Sequence, residues 1–338
     1  MSKRTIALVE SPTQLLNVAE WAYATGHCDG LRVAVLAPRD RHTVRQLDAV
    51  GELVAAIGLD VRAYPVRSRS AGAATGLVRA LRDVARAERL VIGDPFSRFI
   101  QTLLPTAGAD EVVVVDDGTA TWEFARCIDA AEPLLRWGAS PSGPSTRAAR
   151  AARLLSPSLT RRLTVFSCLA DTTPLAATAI ANGYEWTRSR NRPAVLEDEI
   201  DVLGVSLVDN GVVERRPYVD AVGELARLRA PVRYIAHRRE SENLVAQVAA
   251  LPDVRVVRLD LPVELALRRG PVARHVVTFP STAAHTLPIV LADARVSVTM
   301  RRIEPGWFTP ATTVRARRFV ARIGRPASPP YVPRVTAV

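Results

Sequence analysis

Short runs of uniformly apolar residues recur along the chain, and each is followed by a segment of helical length with one apolar face. The run at residues 111–115, EVVVV, is the most extreme, because four consecutive valines leave no polar face for solvent. A strand that is apolar on both faces must be covered on both, as in a parallel sheet with helices on either side. The first half therefore predicts an α/β domain, with strands in TIALVE, RVAVLAP, VRAYPV, RLVIGDP and EVVVVDDG.

The same alternation resumes after an interruption rich in proline, serine and arginine. Residues 138–200 include GASPSGPSTRAARAARLLSPSLTRR, which is typical of a connection at the surface, and LTVFSCL, which predicts one more strand. The second series has its apolar runs in DVLGVSL, VRYIAH, VRVVRL, HVVTFPST and ARVSVTM. We predict two doubly wound, Rossmann-like domains, residues 1–195 and 196–305, which face each other across a cleft at the carboxyl ends of both sheets. A basic segment, residues 306–338, follows them.

The chain carries a formal net charge of +11, from 45 lysine and arginine residues against 34 aspartate and glutamate residues. Lys3 is the only lysine, so the excess can reflect a biased codon pool as well as an anionic partner. That partner is a phosphate-bearing substrate, an acidic polymer, nucleic acid or a membrane surface. Aromatic residues are only 5% of the chain and no nucleic-acid motif is present, so nucleic acid is the least supported of these.

The cysteines and the N-terminus bear on the compartment. Cys28, Cys127 and Cys168 are far apart and form no CxxC motif, which argues against a disulfide framework or a zinc site and favours a reducing compartment. The opening MSKRTIALVESP has a basic start but a very short apolar run, so it predicts neither a signal peptide nor a membrane span. We therefore expect a cytoplasmic protein.

Two aspartates, Asp116 and Asp117, follow the four valines. They lie at the carboxyl end of a predicted parallel strand, where ligands bind in such sheets. Successive side chains of an extended chain point in opposite directions, so one of the two is expected to face the cleft. Gly118 allows a sharp turn into the next helix. The equally supported alternative is that an aspartate caps the helix that begins near Thr119.

Two further candidate positions follow strands of the second series. His237, in VRYIAHRRESENL, lies beside Arg238 and Arg239, so it can bind phosphate or transfer a proton; the alternative is a packed or surface histidine. Ser281 and Thr282, in HVVTFPSTAAHTL, lie between a strand and a helix. Hydroxyls and free N–H groups at a helix start form a phosphate cradle, although plain N-capping explains the same residues.

Five segments occur in the order in which one enzyme family has them. VESPTQLLNVAE is similar to that family's opening strand and helix, and IGDPFSRF to the segment ahead of its acidic motif. DDGTAT matches the Asp/Glu-Asp/Glu-Gly motif, AHRRE falls where a His-Pro motif is expected, and PSTAAHT resembles a paired hydroxyl motif. From residue 9 to about 290 the chain thus resembles the bacterial sialyltransferases and polysialyltransferases of the GT-B type, including the α-2,8-polysialyltransferases and the lipooligosaccharide sialyltransferases.

The resemblance implies inverting transfer of sialic acid, or a related acidic sugar, from CMP-sialic acid to a glycan or glycolipid acceptor, without a metal or a cofactor. Asp116 is then the general base that deprotonates the acceptor hydroxyl, and His237 assists the CMP leaving group. The resemblance further implies two groups of binding residues. Donor binding is assigned to Ser281, Thr282, Arg238 and Gly118. The acceptor side or the cleft wall is assigned to Asp117, Ser11, Gln14 and Asp94. Arg238 replaces the proline of the His-Pro motif, so the backbone beside His237 lacks the constraint of a proline ring.

Two other functions fit the same pattern: a GT-B transferase that uses a UDP- or GDP-sugar, and a two-domain protein that binds a nucleotide without catalysis. The segment 306–338 is strongly basic, with Arg315, Arg317, Arg318 and Arg322 close together. It predicts either a helix that lies peripherally on an anionic membrane surface, aided by RAARAARLL, or a closing helix that packs back on the first domain.

Overall fold

The computed structural model describes residues 3–67, 72–116, 118–136, 145–169, 171–191, 195–229 and 231–324. The first domain contains β1 (Thr5–Val9), α1 (Pro12–Thr25), β2 (Leu31–Leu36), α2 (Arg41–Ala55), β3 (Asp60–Tyr64), α3 (Gly72–Ala85), β4 (Arg89–Ile92), α4 (Arg98–Leu103), β5 (Glu111–Val115), α5 (Ala120–Asp129), α6 (Thr146–Leu155), β6 (Arg162–Ser167), β7 (Thr178–Ala181) and α7 (Glu185–Arg190). The second contains β8 (Leu196–Leu203), α8 (Arg215–Arg229), β9 (Val232–Ala236), α9 (Glu242–Ala249), β10 (Val254–Arg258), α10 (Val263–Arg269), β11 (Val272–Thr278), α11 (Ala283–Val290) and β12 (Ser297–Met300). A last helix, α12 (Val314–Ile323), follows both.

Each domain is built on one parallel sheet. The first sheet has seven strands in the order β3-β2-β1-β4-β5-β6-β7, and the second has five in the order β10-β9-β8-β11-β12. In each sheet the strand order reverses beside its first strand, between β1 and β4 and between β8 and β11. Ligands bind at the carboxyl ends of the strands next to such a reversal. The topology therefore places a candidate site at the carboxyl edge of each sheet.

The apolar strands are covered on both faces, as their sequences predict. In β1, Ala7 and Val9 belong to one apolar cluster, while Ile6 and Leu8 belong to another on the opposite face. The first of these clusters also includes Leu265 of α10, so it continues into the second domain. The two domains thus share part of their apolar core.

Two segments differ from the sequence-based expectation. Within the stretch predicted as a surface connection, α6 is a helix that buries Ala148, Ala151, Ala152 and Leu155. These residues form one stripe at helical spacing, which the arginines and flanking prolines obscure in the overall composition. The first strand of the second domain, β8, starts at Leu196, before the predicted DVLGVSL run, because its charged first half still pairs with β11.

Helix α7, in the connection between the two sheets, is held at both ends. The buried Glu20 carboxylate of α1 accepts hydrogen bonds from the backbone N–H groups of Trp186 and Thr187, each at 2.9 Å. The buried Arg268 guanidinium of α10 donates to the backbone carbonyl oxygens of Arg188 and Asn191, each at 3.2 Å. The connection between the domains is therefore fixed by one side chain from each of them.

The basic tail contains α12, whose apolar face is buried. Ala316, Phe319, Val320 and Ile323 are all less than 9% exposed. Arg315 donates to the Glu123 carboxylate of α5 and to the backbone carbonyl oxygen of Leu135. These contacts place α12 against the first domain, so its apolar face is not available to a membrane surface while the helix is docked. Among the described residues, none of the helices combines the length and the apolar composition that a bilayer crossing requires.

Candidate functional site

A cavity of about 1000 Å³ lies between the two sheets. Its walls come from the loops that follow β5, β8, β9 and β11, from the loop between β10 and α10, and from α12. From the first domain the lining includes Thr13, Gln46, residues 118–120 and Arg136. From the second it includes residues 203–207, 235–239, 261–264 and 280–283, and from the tail Thr312, Thr313, Ala316, Phe319 and Ile323.

His237 lines the cavity directly after β9. Its Nδ1 accepts a hydrogen bond from the backbone N–H of Arg239 at 3.2 Å, which assigns the ring proton of the neutral form to Nε2. Burial, reinforced by the charges of Arg238 and Arg239, lowers the pKa of His237 to about 3. At neutral pH the side chain is therefore an uncharged hydrogen-bond donor rather than an imidazolium acid.

Ser281 and Thr282 line the same cavity, immediately before α11. The Ser281 hydroxyl lies 2.9 Å from the Thr278 hydroxyl. Thr282 is in a helical conformation and makes no side-chain capping hydrogen bond. Its Oγ1 instead accepts the backbone N–H of Thr119 at 3.1 Å, from the first domain. The N-capping alternative is therefore not what the structure shows for Thr282.

Gly118 brings the loop between β5 and α5, whose described residues are Asp116, Gly118 and Thr119 and which we call the acidic loop, against Thr282. Its φ of 69° lies in the left-handed region, and a Cβ at this position would fall 2.1 Å from Thr282 Oγ1. A residue with a side chain cannot occupy this position without separating the two loops. Glycine is therefore required at position 118 for two reasons: the predicted turn and the close approach of Thr282.

Asp116 is 1% exposed and is not one of the residues that line the cavity. Its Oδ2 accepts the backbone N–H of Cys168 at 2.8 Å, and its Oδ1 accepts the Thr121 hydroxyl at 2.9 Å. Burial raises the pKa of Asp116 to about 6, although both hydrogen bonds favour the charged form. The Asp116 carboxylate thus ties the loop after β5 to β6 and α5, behind the residues that line the cavity, and its role as a base stays a prediction.

Three residues expected in the cleft wall also lie behind it, because each is used in local structure. Ser11 caps α1, its Oγ accepting the backbone N–H of Gln14, and the Gln14 side-chain oxygen accepts the backbone N–H of Glu10 at 2.7 Å. Asp94 is 1% exposed, accepts the backbone N–H of Phe96 at 2.9 Å and pairs with Arg136. Thr13 and Arg136, not these three, reach the cavity. Asp117 lies outside the described residues.

Two carboxylates that belong to no sequence motif lie at the site. Among the residues that the structure describes, Glu264 is the only carboxylate on the cavity wall; it accepts the Thr286 hydroxyl at 2.9 Å, and burial raises its pKa. Glu240 lies behind the wall and accepts the backbone N–H of His237 at 2.9 Å. Glu240 follows the His-Arg-Arg run in the sequence, but no local pattern distinguishes it or Glu264 from a surface glutamate.

The side chains that converge on the second-domain side of the cavity are mainly donors. His237, Arg238, Ser281 and Thr282 line this side of the cavity, and α11 begins directly after the two hydroxyl residues, so its N-terminus adds a partial positive charge. Such a set suits a phosphate group, which accepts several hydrogen bonds at once. Among the described residues, no three His, Cys, Asp or Glu side chains form a cluster that could hold a metal ion.

No protein-family model and no curated protein matches the chain. Solved structures do. Anabaena Alr3699/HepE in complex with UDP and glucose is 12% identical, over 95% of this chain and 90% of that one, with a TM-score of 0.52. UDP-glucose:anthocyanidin 3-O-glucosyltransferase in complex with UDP is 12% identical over 94% and 84%, with a TM-score of 0.47. E. coli heptosyltransferase WaaC with ADP-2-deoxy-2-fluoro heptose is 13% identical over 94% and 99%, with a TM-score of 0.42. Together with the two parallel sheets, the first of these likenesses identifies the fold as GT-B.

Proposed function

We propose that the chain is a glycosyltransferase that uses a nucleotide-sugar donor, and that this donor is CMP-sialic acid or a related CMP-activated acidic sugar. One observation carries the proposal: His237, Arg238, Ser281 and Thr282 converge on one cavity of about 1000 Å³, opposite residues 118–120 of the other domain. The likeness to a fold whose HepE representative was solved with UDP and glucose supports the coarser statement. The order of the five motifs supports the choice of donor.

The donor phosphate is assigned to the second domain. Ser281 and Thr282 offer hydroxyl groups, the start of α11 adds a partial positive charge, and Arg238 contributes a full one. His237 donates a hydrogen bond from Nε2, because its low pKa keeps the ring neutral. Hydrogen bonds aimed at the phosphate stabilise the charge that develops as the bond to the sugar breaks, so a strong acid is not needed for this leaving group.

The proposed reaction follows from these assignments. The acceptor hydroxyl attacks the anomeric carbon on the face opposite the phosphate, the bond between that carbon and the phosphate oxygen breaks, and the configuration inverts. The acceptor proton passes to a carboxylate, which contributes a factor of about 10²–10⁴ in rate. Asp116 is proposed for this role because its pKa of about 6 suits a base; it must first exchange the Thr121 hydroxyl for the acceptor. Glu264, which already lines the cavity, is the second candidate.

The two domains then take different parts. We assign the acceptor side to residues 1–195 and the donor side to residues 196–305, while α12 of the basic segment supplies one wall of the cavity. The acceptor is a glycan or glycolipid, and nucleic acid is not a partner in this proposal. A cytoplasmic site of action, with peripheral contact to a membrane when the acceptor is lipid-linked, completes it.

A panel of nucleotides, CMP, CDP, UDP, GDP and AMP, tests the donor by thermal stabilisation. A ligand that binds only the folded protein stabilises it by about 2.7 kcal/mol at a hundredfold excess over Kd. We expect selective stabilisation by CMP, lost in His237→Ala and in the Ser281→Ala/Thr282→Ala double variant. Selective stabilisation by UDP or GDP transfers the enzyme to the other donor class, and no response to any nucleotide refutes the proposal.

Matched controls separate loss of the site from loss of stability. His275→Ala removes an exposed histidine from β11. The double variant Ser158→Ala/Thr160→Ala removes the same two residue types from an exposed loop, where their hydroxyls lie 3.4 Å apart. Both controls are expected to keep the full response to CMP. Turnover with CMP-sialic acid then distinguishes the transferase from a protein that binds nucleotide without catalysis.

A further inference from the structure

We propose that Glu240 is a positioning residue that fixes His237 at the cavity wall for the donor phosphate, an inference that rests on the function proposed above. In the resemblance to the His-Pro motif, Arg238 stands where a proline would constrain the backbone beside His237. The structure contains another constraint, supplied by a buried carboxylate three residues later.

The turn that carries His237 is closed by three hydrogen bonds. The backbone N–H of Glu240 donates to the backbone carbonyl oxygen of His237 at 2.9 Å. In return, Glu240 Oε2 accepts the backbone N–H of His237 at 2.9 Å. The backbone N–H of Arg239 donates to the imidazole Nδ1 at 3.2 Å, so the same turn also sets the ring orientation. Glu240 thus holds the backbone from which the imidazole is directed.

The second carboxylate oxygen links this turn to the loop after β11, which carries Ser281 and Thr282. Glu240 Oε1 accepts the Tyr234 hydroxyl at 2.7 Å, and that hydroxyl lies 2.8 Å from the hydroxyl of Tyr218. Both tyrosines are fully buried, and the Tyr218 ring packs on Phe279 with a centroid distance of 4.6 Å. Phe279 lies two residues before Ser281, so one buried chain of contacts connects both parts of the proposed phosphate site.

The carboxylate lies directly behind the wall of the cavity. Gly204 lines the cavity, and a Cβ added there would fall 2.5 Å from Glu240 Oε2 and 2.7 Å from the Tyr234 hydroxyl. Burial raises the pKa of Glu240 to about 7, so keeping a carboxyl group at this depth opposes folding unless its hydrogen bonds are made. The role that explains a carboxyl group buried here is to hold the backbone of His237, with which it makes a hydrogen bond.

The first test reads the His237 ring without any ligand. Its ¹⁵N signals are assigned among the five histidines by their absence in His237→Ala, and wild type is expected to show the Nε2–H tautomer alone. Glu240→Ala is expected to mix tautomers or broaden these signals. Glu242→Ala is the matched control, because Glu242 is an exposed glutamate two residues away that pairs with Arg258. Unchanged His237 signals in Glu240→Ala overturn the inference.

The second test is a double-mutant cycle on transfer from CMP-sialic acid. Misplacement of a catalytic contact by about 1 Å can cost 10²-fold, so kcat/KM in Glu240→Ala is expected to fall on the order of 10²-fold. In a His237→Ala background the same change is expected to cost less than about threefold, because the group that Glu240 positions is gone. Additive losses would indicate a general structural role and overturn the inference.

Two conservative variants keep the test decisive if Glu240→Ala folds poorly. In Glu240→Gln the amide oxygen can accept the His237 N–H and the amide N–H can donate to Tyr234, so most activity is expected to remain. Tyr234→Phe keeps the packing but removes the hydroxyl, and we expect the His237 signals to change as in Glu240→Ala, to a smaller extent. If wild type binds no nucleotide, the proposed function fails; the ring signals still decide whether Glu240 fixes His237.

Discussion

Gly118→Ala tests whether contact between the two domains at the cavity is needed for donor binding. The added methyl group would lie 2.1 Å from Thr282 Oγ1, 3.0 Å from its Cβ and 3.1 Å from its Cγ2. A new rotamer of Thr282 moves Oγ1 and Cγ2 but leaves Cβ in place. The loops must therefore separate, which breaks the hydrogen bond from the Thr119 N–H to Thr282.

The cost has two parts, and a second glycine isolates one of them. Alanine in the left-handed region costs about 1–2 kcal/mol. Loss of the hydrogen bond between Thr119 and Thr282 adds about 1 kcal/mol. Gly26 has a φ of 68°, matching the 69° of Gly118, but a Cβ there meets nothing within 4 Å. Gly26→Ala is therefore expected to lower the free energy of unfolding only by the cost of alanine at a positive φ, with no effect at the cavity.

Three measurements compare the two variants. Urea unfolding is expected to show both destabilised, Gly118→Ala by about 1 kcal/mol more. Hydrogen exchange at the Thr119 amide is expected to accelerate only in Gly118→Ala. CMP affinity is expected to fall about fivefold in Gly118→Ala, since about 1 kcal/mol corresponds to a factor of about five, and to stay unchanged in Gly26→Ala. If Gly118→Ala keeps both the amide protection and the affinity of Gly26→Ala, the contact does not govern binding and the reasoning is refuted.

Three further predictions concern the acidic loop, the connection and the tail. Asp116→Asn is expected to lower turnover on the order of 10²–10⁴-fold while CMP still binds, because asparagine can accept the Cys168 N–H and donate to Thr121; near-normal turnover would remove Asp116 from the chemistry. Burial raises the pKa of Glu20 from 4.5 to about 7, so wild type is expected to lose about 3 kcal/mol of stability relative to Glu20→Gln as the pH rises through that interval. Parallel stability curves in urea titrations at several pH values would contradict this. Arg315→Ala removes an ion pair worth up to about 1 kcal/mol between α12 and α5, so limited proteolysis is expected to cut α12 up to about fivefold faster; equal cleavage rates would count against the docked tail.

The fold could be predicted wherever burial fixes the sequence. After their first residues, Thr5 and Glu111, strands β1 and β5 are buried and apolar throughout, which a single sequence displays. β7 is mostly exposed at the edge of its sheet, and β8 begins with charged residues, so neither carries that signal over its full length. Their pairing is decided by neighbours distant in sequence, β6 for β7 and β11 for β8.

The sequence could predict which residues of the second domain line the cavity together, but not how the individual carboxylates are oriented. Ends of parallel strands meet at one edge, so the convergence of His237, Ser281 and Thr282 follows from topology. Strand alternation indicates that Asp116 and Asp117 point in opposite directions, but not which of them faces the cleft. The orientation of the Asp116 carboxylate is fixed by a hydrogen bond from the backbone N–H of Cys168, 52 residues away. Glu264 was missed for the same reason, since its partner lies 22 residues further along the chain.

Thr282 shows how the two domains can act on one donor. Its Oγ1 accepts the Thr119 N–H across the cleft, and because it is the acceptor in that bond, its own proton can be donated to an oxygen in the cavity. A phosphate that takes this proton polarises the hydroxyl and strengthens its bond to Thr119, since linked hydrogen bonds reinforce one another. Donor binding in the second domain is then coupled to the position of the acidic loop in the first. Removing the Thr282 hydroxyl would therefore weaken the contact between the domains as well as donor binding, whereas removing the Ser281 hydroxyl, which contacts Thr278 within its own domain, would weaken donor binding alone.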